Sequence, residues 1–161
     1  MDDITNALFS ASRQGNVPVL EEIFALSKDL DIHDEKGHTP LIIAAYNNQL
    51  GAVKALLNAG AGVDKPDFGG NTALMGASFK GYTEIAEALV DHGANLDAQH
   101  GNGGTALMFA AMFGRNEVVK LLLNNGANYN VQDSRGMTAL DLCHQQNNIQ
   151  GIQILSEIEQ I

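Results

Sequence analysis

The sequence has one cysteine in 161 residues, so no internal disulfide framework can hold it. It is also poor in bases: nine Lys and Arg stand against nineteen Asp and Glu, for a net charge of −10. Phosphate binding needs clustered Lys and Arg, which argues against nucleic acid as the main ligand. No apolar run approaches the length of a membrane helix. Met1-Asp2-Asp3 lacks the basic and apolar regions of a secretory signal, so a cytoplasmic location is the default expectation. No linker or low-complexity stretch stands out, and the length suits one domain, 1–161.

What the chain does have is a period. Thr39-Pro40-Leu41-Ile42, Thr72-Ala73-Leu74-Met75, Thr105-Ala106-Leu107-Met108 and Thr138-Ala139-Leu140-Asp141 follow one another at a constant interval, with no insertion. Gly37, Gly70, Gly103 and Gly136 precede each Thr by two residues. Asp34, Asp67 and Asp133 precede those glycines by three, with His100 once in the same place. Small pairs follow at Ala44-Ala45, Ala77-Ser78, Ala110-Ala111 and Cys143-His144, then Leu56-Leu57, Leu89-Val90 and Leu122-Leu123. A fixed period of about 33 residues means stacked supersecondary units. Such stacks offer an extended groove and usually no catalytic cleft.

Each element of the period has a physical reading. A Thr hydroxyl accepts from an orphan N–H of a helix's first turn, which makes Thr a good N-cap. Pro40 follows at the first helical position, where no N–H is needed. The small pair lets a neighbouring helix approach closely. A second apolar run such as Ile85, Ala86, Ala88 and Leu89 has helical spacing. Gly60, Gly93 and Gly126 sit where a helix ends in a left-handed residue. The segment up to the next Asp and Gly carries turn chemistry. Each unit reads as helix, short loop, helix and a hairpin-like turn.

With these residues in place, the chain resembles the ankyrin-repeat family. The pattern Asp-x-x-Gly-x-Thr-Pro-Leu, small pair, then Leu-Leu-x-x-Gly-Ala recurs from about residue 31 to 161. Small stand-alone ankyrin proteins, including bacterial ones, are the nearer likeness. The resemblance implies an all-α solenoid of helix-turn-helix units with hairpin-like connecting loops, about five repeats including end caps. The expected units are 4–33, a degenerate first unit with Asn6 in the capping place, then 34–66, 67–99, 100–132 and 133–161. The last unit is rich in Gln and Asn but keeps an apolar stripe of Ile149, Ile152, Leu155 and Ile158, as a capping repeat would. The array is therefore expected to be complete. The family often has His after Thr-Pro-Leu. Here Ile42, Met75, Met108 and Asp141 stand there, so apolar packing is the expected substitute.

Candidate chemistry is sparse. Cys143 occupies the slot of Ala44, Ala77 and Ala110, which suits a buried inert thiol better than a nucleophile. His144 is its neighbour, and adjacent residues on a helix do not face each other. His33, His38 and His100 lack the spacing of a zinc site. Gly69-Gly70 and Gly103-Gly104 have no phosphate-loop Lys behind them. No catalytic residue, metal or cofactor is expected. The expected function is a non-catalytic protein-interaction module: an inhibitor, an adaptor or a protective accessory protein. The alternative is a small-ligand protein or enzyme whose site converges only in three dimensions, marked by a pocket with titratable groups. An acidic N-terminal end could also steer a basic partner.

The resemblance places the partner site on the ends of the first helices, which line a concave groove, and on the hairpin tips. The residues that vary there while the scaffold repeats are Tyr46, Asn47, Phe79, Lys80, Met112, Phe113 and Gln145 on the helices. On the tips they are His38, Phe68, Asn71, Asn102 and Arg135. The expected occupant is a protein, with no nucleic acid and no membrane, and the chain is expected to be a monomer. Aromatic and Met side chains are enriched in interface cores. Tyr46, Phe79 and Phe113 are therefore expected to share one groove. Two further expectations concern glycine. Gly76 stands where Ile43, Phe109 and Leu142 stand in other units, so the Phe109 ring should fill the space above it. The tip glycines should have positive φ, making Val far worse at Gly70 than at Asn71.

Overall fold

The computed structural model describes residues 2–26 and 29–159. Among them the chain forms ten α-helices and no strand. In order these are α1 (Asp3–Gln14), α2 (Val17–Leu26), α3 (Pro40–Tyr46), α4 (Leu50–Asn58) and α5 (Ala73–Lys80). Then come α6 (Thr83–Asp91), α7 (Ala106–Met112), α8 (Asn116–Asn124), α9 (Ala139–Gln145) and α10 (Ile149–Glu159). Helices pair within each unit, and the pairs stack in chain order. Odd-numbered helices form one layer and even-numbered helices a second. The odd layer is packed more closely than the even one.

That closeness comes from the small pairs. Ala44, Ala45, Ala77, Ser78, Ala110, Ala111 and Cys143 are each 0% exposed. Side chains this short let one odd helix lie directly on the next. Along the even layer, Ile23, Leu56, Leu89, Leu122 and Leu155 hold the equivalent place in successive units, and all are buried. One continuous apolar core therefore runs the length of the stack.

The helix ends follow the expected chemistry. The hydroxyls of Thr39, Thr72, Thr105 and Thr138 accept from the N–H groups of Ile42, Met75, Met108 and Asp141 at 3.2–3.3 Å. Ile42, Met75 and Met108 lie in the core, the apolar substitute expected there. Asp141 is exposed, and its carboxylate accepts from the Thr138 N–H at 2.9 Å, which closes a capping box. Gly37, Gly70, Gly103 and Gly136 have φ of 83°, 85°, 82° and 78°.

The two ends differ from expectation. Asn6 caps nothing, because α1 begins one turn earlier. Asp2 is its N-cap, accepting from the Thr5 N–H at 2.7 Å. Carboxylate chemistry favours that place, since the helix N-terminus carries partial positive charge. At the other end Ile149 is 64% exposed and leaves the stripe. Leu155 is buried, with Ile152 and Ile158 half-buried. Leu140 is half-buried where Leu41, Leu74 and Leu107 are enclosed, because no further unit packs over it among the described residues. Nor is any helix among the described residues long and apolar enough to cross a membrane.

One small-pair residue is out of place chemically. Ser12 and Ser78 hold the same slot, in the first unit and the third. The Ser12 hydroxyl donates to the Leu8 carbonyl at 2.7 Å, whereas the Ser78 hydroxyl has no partner among the described residues. A buried, unsatisfied hydroxyl costs about 1–3 kcal/mol. Ser78→Ala, which matches Ala45 and Ala111, is expected to raise stability by about 1 kcal/mol in urea unfolding.

Candidate functional site

Each hairpin tip is closed by the side chain that opens it. Asp34 Oδ1 accepts from the N–H groups of Lys36 and His38, each at 2.9 Å. Asp67 does the same for Gly69 and Asn71, and Asp133 for Arg135 and Met137. His100 substitutes with Nδ1, which accepts from the Asn102 N–H at 3.4 Å. Neighbouring tips are joined by backbone bonds: Phe68 N–H to the Lys36 carbonyl, Gly101 N–H to Gly69, and Ser134 N–H to Asn102. His38 also bridges tips. Its Nδ1 lies 3.3 Å from Asp34 and its Nε2 3.7 Å from Asp67.

These bonds set a pH dependence. Desolvation raises the carboxyls of Asp34 and Asp133, but the N–H donors, with His38 and the Arg135 guanidinium, outweigh it. Both end below the ordinary value. Their stabilisation is complete above about pH 4, the unfolded value. It is lost as pH falls through the lowered folded-state values. The urea midpoint should drop below about pH 4, and Asp133→Asn should make that drop smaller.

Beside the tips, the odd helices carry an aromatic ladder. Tyr46 and Phe79 stack with ring centroids 6.3 Å apart and planes 6° from parallel. Phe113 meets Phe79 edge-on at 4.6 Å. Tyr46 is 46% and Phe113 44% exposed, with Phe79 half-buried between them. Lys80 Nζ sits 4.6 Å from the Tyr46 ring centroid, and Arg115 Nε donates to the Phe79 carbonyl at 3.0 Å.

A recess of about 510 Å³ opens beside the ladder. The rings of Tyr46, Phe79 and Phe109 line it with Ile43, Met75 and Gly76. Its polar lining is Arg13 and Asn47 from the helix ends and His38, Asp67 and Asn71 from the tips. Phe109 therefore does not close the space over Gly76, as its register implied. The ring tilts against His100, 5.1 Å away, and is half-buried. It separates this recess from a second of about 490 Å³, lined by Asn102, Met108, Met112 and Arg135 among others.

Most of the expected site residues therefore meet around two neighbouring recesses. His38, Tyr46, Asn47, Asn71 and Phe79 line the first, with Lys80 on the Tyr46 ring. Asn102, Met112 and Arg135 line the second. Phe113 joins them through the ladder. Phe68 lies apart, 69% exposed on its tip and edge-on to His33 at 5.1 Å. Gln145 is exposed and lines neither recess. Arg13, Asp67 and Gly76 also line the first recess and are not among the expected site residues; in the sequence reading Asp67 and Gly76 are turn and packing positions. Arg13 had a signal, since it falls one full period before Tyr46.

Comparison with known proteins agrees with this architecture. A family model for ankyrin repeats in three copies matches residues 8–100, and one for many copies matches residues 89–143. The chain belongs to the ankyrin-repeat family. Ankyrin repeats generally mediate protein–protein interaction and are typically non-catalytic. Among similar proteins, palmitoyltransferase AKR1 of Gibberella zeae is 37% identical over 59 residues, 36% of this chain and 8% of that protein. Human ankyrin repeat and SOCS box protein 3 is 33% identical over 57 residues, 35% of this chain and 11% of that protein. The putative ankyrin repeat protein YahD of Escherichia coli is 33% identical over 57 residues, 35% of this chain and 28% of that protein. The chain thus spans a small part of the length of each relative.

The lone thiol of this ankyrin chain is enclosed. Cys143 is 0% exposed, with Sγ 3.9 Å from the Ala111 carbonyl and 3.7 Å from the Asn148 amide. Burial pushes the thiol up to about 11. That disfavours the thiolate a nucleophile needs. Among the described residues, no three His, Cys, Asp or Glu side chains gather as a metal site.

Proposed function

We propose that the chain is a non-catalytic interaction module that holds a protein partner in its concave groove and against its hairpin tips. It acts as one domain of five units, 4–33, 34–66, 67–99, 100–132 and 133–161. It works as a cytoplasmic monomer in an inhibiting, adapting or protecting role. The carrying observation is the ladder of Tyr46, Phe79 and Phe113, which leaves aromatic surface open to solvent beside two recesses. Contiguous exposed apolar surface of this kind marks interaction sites. His38, Asn47, Asn71, Lys80, Asn102 and Arg135 surround it and supply a polar rim, and Met112 adds apolar surface. Phe68 and Gln145 extend the footprint to one tip and to the last unit.

The test is the triple variant Tyr46→Ala, Phe79→Ala, Phe113→Ala, checked for helix content by circular dichroism and used as bait in cell lysate. Burying one aromatic side chain contributes about 1.5–3 kcal/mol, so partner affinity should fall about tenfold or more. A folded triple variant that keeps every wild-type partner removes the groove reading. One observation favours a second reading. The first recess has the volume of a small-molecule site, and Arg13, His38 and Asp67 line it. A small-ligand site would leave protein capture unchanged in the triple variant.

A further inference from the structure

The recess over Gly76 exists because one side chain is missing. Gly76 is the fourth residue of α5 and has ordinary helical backbone. Glycine is among the poorest residues for a helix interior. A Cβ here would meet only Tyr46 Cδ2, at 3.5 Å, an ordinary contact. Nothing in the backbone or the packing requires glycine at this place. The equivalent Ile43, Phe109 and Leu142 all carry large side chains. The gap leaves an apolar recess bordered by three rings, open to whatever lies in the groove.

The charges around it are sorted. Helices α3, α5 and α7 contain no Asp or Glu, although the chain has nineteen. Acids stand on even helices, as at Glu84, Glu87 and Glu117, in the tips, and on the two outer odd helices at Asp3 of α1 and Asp141 of α9. The bases beside the recess are Arg13, in the last turn of α1, and Lys80, in the last turn of α5. Neither is paired with a carboxylate among the described residues. On the tip side Asp67 also lines the recess, but its carboxylate is held by the Asn71 amide and faces His38. An acidic chain is thus repelled by the outer layer and the tips. Beside the recess, at the ends of α1 and α5, it meets Arg13 and Lys80; other bases free of salt bridges among the described residues, Lys36, Lys54 and Lys65, stand on a tip, on α4 and in a loop. Charge sorting of this kind steers partners and sets their orientation.

We infer that the recess over Gly76 receives a bulky apolar side chain from an acidic segment of a partner protein, whose carboxylates bind Arg13 and Lys80. This rests on the interaction-module reading and names the chemistry of its ligand. Packed helices lie about 8–10 Å apart. Arg13 and Lys80 stand two helix steps apart, on either side of Tyr46. An extended chain advances about 3.3–3.6 Å per residue. Lys80 shares α5 with Gly76, but Arg13 is two steps away, about 16–20 Å, so the carboxylates fall within about six residues of the apolar anchor.

The experiment pans a random twelve-residue peptide phage library on the full chain. Enriched peptides are then synthesised with a fluorophore and titrated by anisotropy. Three variants accompany the wild type: Gly76→Leu, Gly76→Ala and the double reversal Arg13→Glu, Lys80→Glu. Enriched peptides should carry Leu, Ile, Met or Phe with Asp or Glu within about six positions. Gly76→Leu should weaken them at least tenfold while raising the melting temperature by roughly 2–4 °C, the scale of a glycine removed from a helix. Gly76→Ala should raise the melting temperature similarly and weaken binding less, which covers the chance that Leu distorts α5. The double reversal should also cost at least tenfold, and added NaCl should weaken the wild type. Basic or uncharged enriched peptides overturn the inference. So does affinity kept within twofold by both Gly76→Leu and the double reversal. Dimers that dissolve in Gly76→Leu overturn it too, because the occupant would be a second copy. If panning enriches nothing, this inference fails alone, since the groove reading is judged by capture with the triple alanine variant.

Discussion

Gly70→Val is expected to destabilise the protein by about 3 kcal/mol or more. Gly70 has φ of 85° in a tip wedged against the next one. A left-handed L-residue costs roughly 1–2 kcal/mol, and β-branching makes the conformation a genuine outlier. Space adds a second cost. A Cβ would stand 3.1 Å from both Gly101 N and His100 Cα, which are backbone atoms and cannot swing away. Giving room means pushing the tips apart, against the 2.9 Å bond from Gly101 N–H to the Gly69 carbonyl. Asn71 is not the neutral comparison its place in the sequence suggests. Its amide bonds both oxygens of Asp67 at 3.2 Å, and it lines the first recess. Asn102 lines the second recess but is the better control for stability, being exposed, without positive φ and without a side-chain bond among the described residues. Asn102→Val should stay within about 0.5–1 kcal/mol of wild type, near the scale of surface changes. Similar urea midpoints for the two variants would remove both the conformational and the steric argument.

Leu89→Ala should cost about 2–5 kcal/mol and also change the shape of unfolding. Leu89 is 0% exposed on α6, between α4 and α8, in the middle unit. In a stack, stability is a sum over units and the contacts between neighbours. Weakening the middle unit weakens its contacts on both sides. The two ends then unfold less dependently, and the urea transition should broaden or split. Leu155→Ala removes an equally enclosed leucine, 1% exposed, from the last pair of helices. It should lower the midpoint with one transition, because only one neighbour is affected. Identical single transitions for both variants, with unchanged slope, would show that the middle unit does not couple the ends.

The scaffold was legible because its determinants are local and repeated. A Thr cap bonds a backbone N–H three residues on, a tip Asp bonds N–H groups two and four residues on, and a glycine's φ belongs to one residue. Each such choice recurs in the next unit at the same register, so each repeat corroborates the others. The Tyr46–Phe79 step of the ladder could be read, because equivalent positions on stacked helices must lie near one another; Phe113 stands one residue past that register, next to Met112. The ends were read less well. They break the period, so Asp2 displaced Asn6 as the cap and Ile149 left the stripe.

The sequence by itself determined the period, the caps, the turn glycines, the apolar core and the row of Tyr46, Phe79 and Met112 that Phe113 adjoins. Only the tertiary structure decided that Gly76 opens a recess rather than being covered by Phe109. It also decided that Arg13 of the first unit and Asp67 of a later tip line that recess together. The physical reason is that a cavity is made by what several distant side chains fail to fill. Register shows which residues are equivalent, but the tilt of the Phe109 ring toward His100 depends on contacts between units. Those contacts, not any single repeat, set the shape and charge a partner meets.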